Sequence, residues 1–426
     1  MNRSVVVRHS FNPFMVLDVG VDVSMDELHF DAVIGNEAIQ KEIANRTEQI
    51  TVMLRWLSNK AKHSGFNNLR IVVEPTGNYH ELLFRIATGM GLETTYVRGE
   101  AVKKMNKILH NDNGKTDKRD PVAIRELADR NIVFKHRRLP EIYQMMRRFN
   151  LMYANEEKSM IEAKCRIHRC LTAVFPDLSF KSEFVYSPSG RAIMQCYSYD
   201  PHAIVRAGLK RVTKRLKALV PRIRKLTIQR LMKYAYDSVQ STPPGRINDL
   251  KIFELRYAWD DMESAEKRRA EIGKKLENLY DEAREADNNL PKAIKGVVTK
   301  LALARLAGEL GPLSDFKSCQ QIFKFSGLNL RERESGKFKG EIKISKAGRF
   351  MVRSIVNQMV LPLVKRTRLF GAYYHFKTGV EKMKGTKAMT AVARKLLKML
   401  WGLYKSGAEF SPERVFACES TFAEAA

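Results

Sequence analysis

Through residues 1–135 the apolar positions fall in short Val- and Ile-rich runs separated by stretches of helical composition. Phe14 to Val23 predicts a strand, and the alternating Glu27 to Ile34 predicts its hairpin partner. Glu37 to His63 has helical composition throughout. Leu69 to Val73 predicts a short buried strand ending at Glu74-Pro75-Thr76-Gly77. A helix over Leu82 to Gly91 and a strand over Glu93 to Val97 follow. After a polar, basic loop, Asn111 to Lys115, another helix begins near Thr116. Strands alternating with helices predict an α/β domain, a sheet covered by helices.

Beyond residue 135 the period changes. Ile142 to Leu171 reads as a long, charged amphipathic helix. Phe175 to Tyr199, interrupted by Pro176, Pro188 and Gly190, predicts broken structure. From Val205 to Lys233 the apolar residues Val205, Leu209, Val212, Leu216, Leu219 and Ile223 recur at helical spacing, with Pro221 set to kink or split the helix. Ser241 to Gly245 is a break, and Ile247 to Ala286 a long helix. Its faces, Leu250, Phe253 and Tyr257, then Ile272, Leu276 and Leu279, suggest a coiled-coil arm with imperfect heptads. Residues 288–410 read as mostly α with one irregular stretch, Ser326 to Gly348. The expected division is therefore 1–135, a helical middle over 136–287, a third part over 288–410 and a tail over 411–426.

Charge sharpens this picture. The 426 residues include 75 Lys and Arg against 47 Asp and Glu, a net charge of +28. A surplus of that size points to a polyanionic partner and away from a small-molecule metabolic enzyme. Val205 to Lys233 alone holds 11 Lys and Arg and no acid, which suits a surface that tracks phosphates, RNA above all. The five cysteines are odd in number and irregular in spacing, so a reducing compartment is expected. Cys165, His168 and Cys170 invite a zinc reading, but i and i+5 do not share a helix face and a structural site takes four ligands. No apolar run reaches the ~18 residues of a membrane span, and the N-terminus lacks a secretory core, so a cytoplasmic protein without a membrane partner is expected.

Four acids stand where a two-metal phosphodiester site needs them. Asp22 ends the first strand and Glu74 a later one, and Asp117 and Asp120 are spaced i, i+3 at a helix start. Carboxylates suit hard cations, and such a set can hold two Mg²⁺ (or Mn²⁺) ions about 3.5–4 Å apart across a phosphodiester. Taken singly, each acid is weak evidence, because such a residue is more often a turn or cap residue or part of a dipole-favoured solvated face. Asp18 competes with Asp22, because both project from the same side of a strand.

The neighbours of these acids carry a resemblance. Val19-Gly20-Val21-Asp22-Val23-Ser24, Glu74-Pro75-Thr76-Gly77-Asn78-Tyr79-His80 and Lys115-Thr116-Asp117-Lys118-Arg119-Asp120 resemble, in order and spacing, the three motifs of the DEDD transposase family of insertion sequences. That family includes the Piv-type invertases and the RNA-guided bridge recombinases. Met25 stands where a Lys is more usual. The last third resembles the family's second domain: Ala302 to Phe316, Ser326-Gly327-Leu328, Glu334-Ser335-Gly336, Ile344 to Arg349, Arg353 and Ala391 to Leu397. Lys337 replaces a frequent second Gly, and Lys295 to Thr299 lacks the second Gly of a Gly-x-Gly hairpin.

The resemblance implies an RNase H/RuvC-like N-terminal metal domain and a mostly helical C-terminal transposase domain. It implies that Ser335 is the nucleophile of a DNA recombinase that works through a phosphoserine link. A hydroxyl needs a base or metal to activate it, and the cations Lys337, Lys346, Arg349 and Arg353 suit charge on a phosphate. Lys115, Arg119, Lys210, Arg211, Lys214, Arg215 and Arg394 complete the expected nucleic-acid contacts. Implied partners are double-stranded donor and target DNA, a structured guide RNA encoded beside the gene, and further copies of the chain. A dimer would assemble to a tetramer, and the acids of one protomer would meet the serine of another. Two other readings differ in kind: a metal-dependent structure-specific nuclease that hydrolyses DNA with water, and a non-catalytic nucleic-acid-binding protein.

Overall fold

A computed structural model of the chain describes residues 16–75, 77–110, 119–331, 334–335, 338–339 and 342–416. Two compact units divide at residues 138 and 139. The first holds a six-stranded sheet in the order β3-β2-β1-β4-β5-β6. Its strands are β1 (Val16–Val23), β2 (Glu27–Ile34), β3 (Glu37–Ala44), β4 (Asn68–Val73), β5 (Glu93–Tyr96) and β6 (Phe134–Lys135). β1, β2 and β3 form an antiparallel meander; β4 and β5 continue from β1 in parallel, and β6 closes the edge antiparallel to β5. This is a mixed α/β sheet domain, as the alternation of strands and helices predicted.

The expected helix over Glu37 to His63 is instead β3 followed by α1 (Thr47–His63). β3 is an edge strand, and of its residues only Ile39 is buried. Its Glu, Lys and Gln side chains are those of an edge protected against further pairing, and they read as helix by composition alone. The remaining helices are α2 (Glu81–Gly89), α3 (Gly99–His110) and α4 (Arg119–Asp129).

Alternation along the strands sorts the two faces. Leu17, Val19, Val21 and Val23 of β1 and Leu69, Ile71 and Val73 of β4 pack with Ile50, Leu54 and Leu57 of α1 and Leu83 of α2. The even positions face the other way, where Val72 joins Val102 of α3 and Ile124 and Leu127 of α4. Charges lie buried beneath α4. Arg125 donates from Nε to Asp31 at 2.7 Å, and Arg70 donates from Nη2 to Asp18 at 2.7 Å and to the Ala128 carbonyl at 3.1 Å. Asp18 is thus held in an ion pair by Arg70, whose own pKa the hydrogen bond raises.

The second unit is mostly helical: α5 (Glu141–Val174), α6 (Ser182–Val185), α7 (Pro188–Tyr197), α8 (Pro201–Leu219), α9 (Lys225–Ser241), α10 (Arg246–Ala286), α11 (Lys300–Leu310), α12 (Cys319–Ser326), α13 (Phe350–Arg366), α14 (Arg368–Gly379), α15 (Gly385–Ser406) and α16 (Pro412–Phe416). The stretch expected to be broken thus contains α6 and α7, the latter capped by Ser187, whose Oγ accepts from the Gly190 amide. The basic helix splits around Pro221, one of the two outcomes expected there, and it is also kinked at Gly208, whose φ of 68° is non-helical, so the single helix expected from Val205 is not continuous.

α5 and α10 pair antiparallel, and two cores share them. Tyr143, Met146 and Tyr153 pack with Ile272, Leu276 and Leu279 in one, while Met160, Ile167 and Leu171 pack with Leu255, Trp259 and Met262 in the other. Leu250, Phe253 and Tyr257 stay exposed. Between α12 and α13 lie the short strands β7 (Leu330–Arg331), β8 (Glu334–Ser335), β9 (Phe338–Lys339) and β10 (Lys343–Ile344). β7 pairs with β10 and β8 with β9, both antiparallel. The described residues include no helix long and apolar enough to cross a membrane.

Candidate functional site

Asp22 and Glu74 are brought level by strand register. β1 and β4 run parallel with Val21 beside Val73, so the next residue on each chain is an acid. Neighbouring strands lie about 4.8 Å apart. Asp22 shares its face with Gly20, two residues back. On that face α4 comes so close that a Cβ on Gly20 would stand 2.2 Å from the Pro121 carbonyl oxygen and 2.7 Å from the Arg125 nitrogen. Glycine is required there by contact with the α4 backbone. The contact sets the first turn of α4, which carries Asp120, over the strand that carries Asp22.

Each acid also has a local support. The Asp22 Oδ1 accepts the Val23 amide at 3.0 Å. The Glu74 carboxylate rests against Gly99 at the start of α3, where an added Cβ would be 2.3 Å from Oε1. Asp120 is buried and accepts from Asn106 Nδ2 at 2.6 Å. Gly99 and Asn106 lie two turns apart, so one face of α3 serves both Glu74 and Asp120. Asp117 and Lys115 lie outside the described residues, and Arg119 opens α4. Among the described residues no group of three or more His, Cys, Asp or Glu is arranged to hold a metal ion. The donor set nonetheless fits a hard divalent cation. It is all oxygen, and beside Asp120 the Asn106 Oδ1 is buried with no donor among the described residues.

The loop after Glu74 ends in a packed polar cluster that the sequence did not single out. His80 is buried, its Nε2 lies 3.1 Å from the Tyr96 hydroxyl, and its Nδ1 has no partner among the described residues. His136 joins the cluster, with Nδ1 3.1 Å from Thr94 Oγ1 and its ring edge-on to Tyr96. Burial lowers the pKa of both histidines and pushes Tyr96 up to about 12.

In the second unit Ser335 lies opposite Phe338 in the β8–β9 ladder, with Gly336 and Lys337 between them outside the described residues. The β7–β10 ladder lies nearer the base of the same hairpin. At that base α12 ends in Gly327, left-handed with φ 69°, and the chain at Gly348 returns against it. A Cβ on Gly348 would be 2.4 Å from the Gly327 nitrogen and 2.5 Å from the Phe325 carbonyl oxygen. Lys346 donates its amide to the Gly327 carbonyl at 3.0 Å, and its side chain is exposed. Arg353 clasps the carbonyls of Ser326 and Gly348 at 2.8 and 3.1 Å. Arg349 gives its Nε to Glu309, a carboxylate only 2% exposed that also accepts from Asn150 Nδ2 at 2.8 Å. Arg349 and Arg353 are therefore tied to the hairpin base. Arg394 lies 4.7 Å from the Phe323 ring.

The neighbouring serines Ser326 and Ser345 are both engaged locally. Ser326 is wholly buried and donates to the Ile322 carbonyl at 2.7 Å. Ser345 donates to Asn329 Oδ1 at 2.6 Å. It does not cap the following helix, which begins at Phe350 after Arg349.

On α8 the buried Val212 and Leu216 turn Lys210, Arg211, Lys214 and Arg215 outward. Arg215 also approaches the Tyr197 ring at 5.9 Å.

Residues 19–176 match the family described as DEDD_Tnp_IS110, Transposase, and residues 289–375 match the Transposase IS116/IS110/IS902 family. The chain is 22% identical over 402 residues to the insertion element IS116 uncharacterized 44.8 kDa protein of Streptomyces clavuligerus, covering 92% of this chain and 96% of that protein. Among solved structures it is similar to T. thermophilus RuvC in complex with Holliday junction substrate, at 9% identity and a TM-score of 0.21, over 28% of this chain and 99% of that one.

Proposed function

The chain belongs to the IS116/IS110/IS902 transposase family, and from that premise we propose that it cuts and exchanges DNA strands at an insertion element through Ser335, assisted by the acids of the N-terminal sheet and directed by a structured guide RNA. The observation that carries the acid half is the register of β1 and β4, which sets Asp22 and Glu74 side by side under α4 and Asp120. Asp22, Glu74, Asp117 and Asp120 would hold Mg²⁺ or Mn²⁺. Bound there, the cation supplies charge stabilisation at the phosphate oxygens.

Ser335 supplies the attacking oxygen. Its hydroxyl loses a proton and forms an ester with the DNA phosphorus as the phosphodiester bond to the leaving strand breaks. The leaving oxygen takes up a proton. Attack by the hydroxyl of an exchanged strand end reverses these steps and frees the serine. The ester conserves the energy of the broken phosphodiester bond, so strand exchange needs no nucleotide hydrolysis. Its place in the β8–β9 hairpin supports this role, and the wholly buried Ser326 is the neighbouring serine least able to reach a DNA phosphate. Lys346 and the exposed bases of α8 are the phosphate contacts this reading assigns, α8 for the RNA. The protein would act in the cytoplasm as a dimer that assembles to a tetramer.

The test is a nicked DNA substrate with Mg²⁺, followed by denaturing electrophoresis. The wild type should give a protein–DNA adduct that survives denaturant. Ser335→Ala should give none, whereas Ser345→Ala should still give it. Cleavage with no adduct would replace this reading by water-driven hydrolysis, and an adduct mapped to another residue would remove Ser335.

A further inference from the structure

One uncharged side chain ties together the two loops that leave Asp22 and Glu74. Asn45 follows β3, and its own amide donates to the Asp26 carbonyl at 2.7 Å, which anchors it to the β1–β2 turn. From there its Nδ2 donates to the Ser24 carbonyl at 3.0 Å and to the Tyr79 carbonyl at 3.1 Å. Ser24 is two residues beyond Asp22, and Tyr79 is in the loop that starts at Glu74. The same loop is fixed beyond Tyr79 by the buried His80. Asn45 Oδ1 is itself buried with no donor among the described residues. An unpaired buried acceptor costs about as much as two ordinary hydrogen bonds gain. The side chain therefore adds little net stability. What it fixes is the separation of two loops.

We propose that Asn45 is a positioning residue whose two N–H groups clamp the loop after Asp22 to the loop after Glu74, and so set the spacing of those carboxylates for a divalent cation. The proposal rests on the reading of the four acids as a cation site. The amide suits the task because it offers two donors on one atom. A carboxylate in its place would set acceptors against two carbonyls, and a serine has a single donor.

The test is a Mn²⁺ titration of the full-length protein without DNA, followed by electron paramagnetic resonance of free Mn²⁺. Residues that orient metal ligands typically change metal affinity 10–100-fold when replaced. Asn45→Ala should raise the half-saturating Mn²⁺ concentration about tenfold, and saturating Mg²⁺ should restore its DNA cleavage. Asn45→Ser, with one donor left, should fall between, and it decides the matter if the alanine variant fails to fold. Gln49→Ala is the control, because it removes the 2.7 Å bond from the Ala44 amide in the same segment without touching either loop. It should titrate like the wild type. Equal titration by wild type and Asn45→Ala, or an equal shift in Gln49→Ala, would overturn the clamp and leave the acid site standing. Wild-type titration unaltered by Asp22→Ala and Glu74→Ala would overturn the acid site and the clamp together.

Discussion

The two candidate sites are built in opposite ways. The acids of the N-terminal sheet are fixed from several directions: by strand register, by the α4 backbone against Gly20, by α3 against Glu74 and Asp120, and by Asn45 between their loops. Ser335 is held by the backbone pairing of its own hairpin, and its base is fastened by Gly327 against Gly348, Arg353 and the Arg349–Glu309 pair. A cation site demands ligands at fixed separations, so rigid elements carry it. A nucleophile must meet a phosphate brought by a partner, and a hairpin tied down at its base is where the candidate serine lies. Damage to the acid site should therefore come from many positions, and damage to the serine from the hairpin base.

The largest effect expected is from Gly20→Val. Its Cβ would fall on two α4 backbone atoms, at 2.2 and 2.7 Å, with no side-chain end to yield. Overpacking usually costs about 1–3 kcal/mol, and a clash with backbone exceeds that. Cleavage should drop more than ~100-fold, in line with 1 Å misplacements of reacting groups, together with a lower melting temperature. Wild-type cleavage in this variant would show that α4 does not set Asp120.

Gly348→Val should be smaller and should separate the two sites. Its Cβ meets the Gly327 nitrogen and the Phe325 carbonyl oxygen, so the hairpin base must open. Adduct formation should fall about tenfold, by the same misplacement argument at reduced severity, while Mn²⁺ titration stays as in the wild type. A shift in Mn²⁺ affinity would contradict the independence of the two sites.

Much of this was legible in the sequence, and the remainder was hidden for definite reasons. The Val-rich runs gave the central strands, and the resemblance pointed to Asp22, Glu74 and Asp120 as candidate acids, of which the fold sets Asp22 and Glu74 at the ends of neighbouring strands. β3 was misread because an exposed edge strand has no apolar alternation to display, only one buried Ile39. Glu309 had a visible signal, a lone acid inside the apolar run of α11, which is what a buried, paired carboxylate looks like. Asn45 and Asn106 had none. Their roles come from contacts between residues 34 and 14 positions apart, and an asparagine near a turn is unremarkable. Gly20 stood in a motif, but the helix it admits lies 100 residues away in sequence.

The smallest effect concerns pH and the polar cluster behind the Glu74 loop. His80 and His136 both have pKa values lowered from 6.5 by burial. The unfolded chain therefore binds protons at a pH where the folded unit does not. Above about pH 6.5–7 both states are neutral and the histidines leave stability unchanged. As pH falls below 6.5 the unfolded state is favoured, so stability is lost toward the lower, folded-state pKa. Asp129 acts with the opposite sign, because burial raises its pKa and the folded state protonates first, but it does so nearer the carboxylate range. The comparison to make is therefore the melting temperature at pH 7.5 and pH 5.5 for the wild type and for His136→Gln, with an amide placed at the Thr94 contact. The variant should lose less on acidification than the wild type. Parallel pH profiles for the two proteins would show that His136 does not contribute to the loss of stability on acidification.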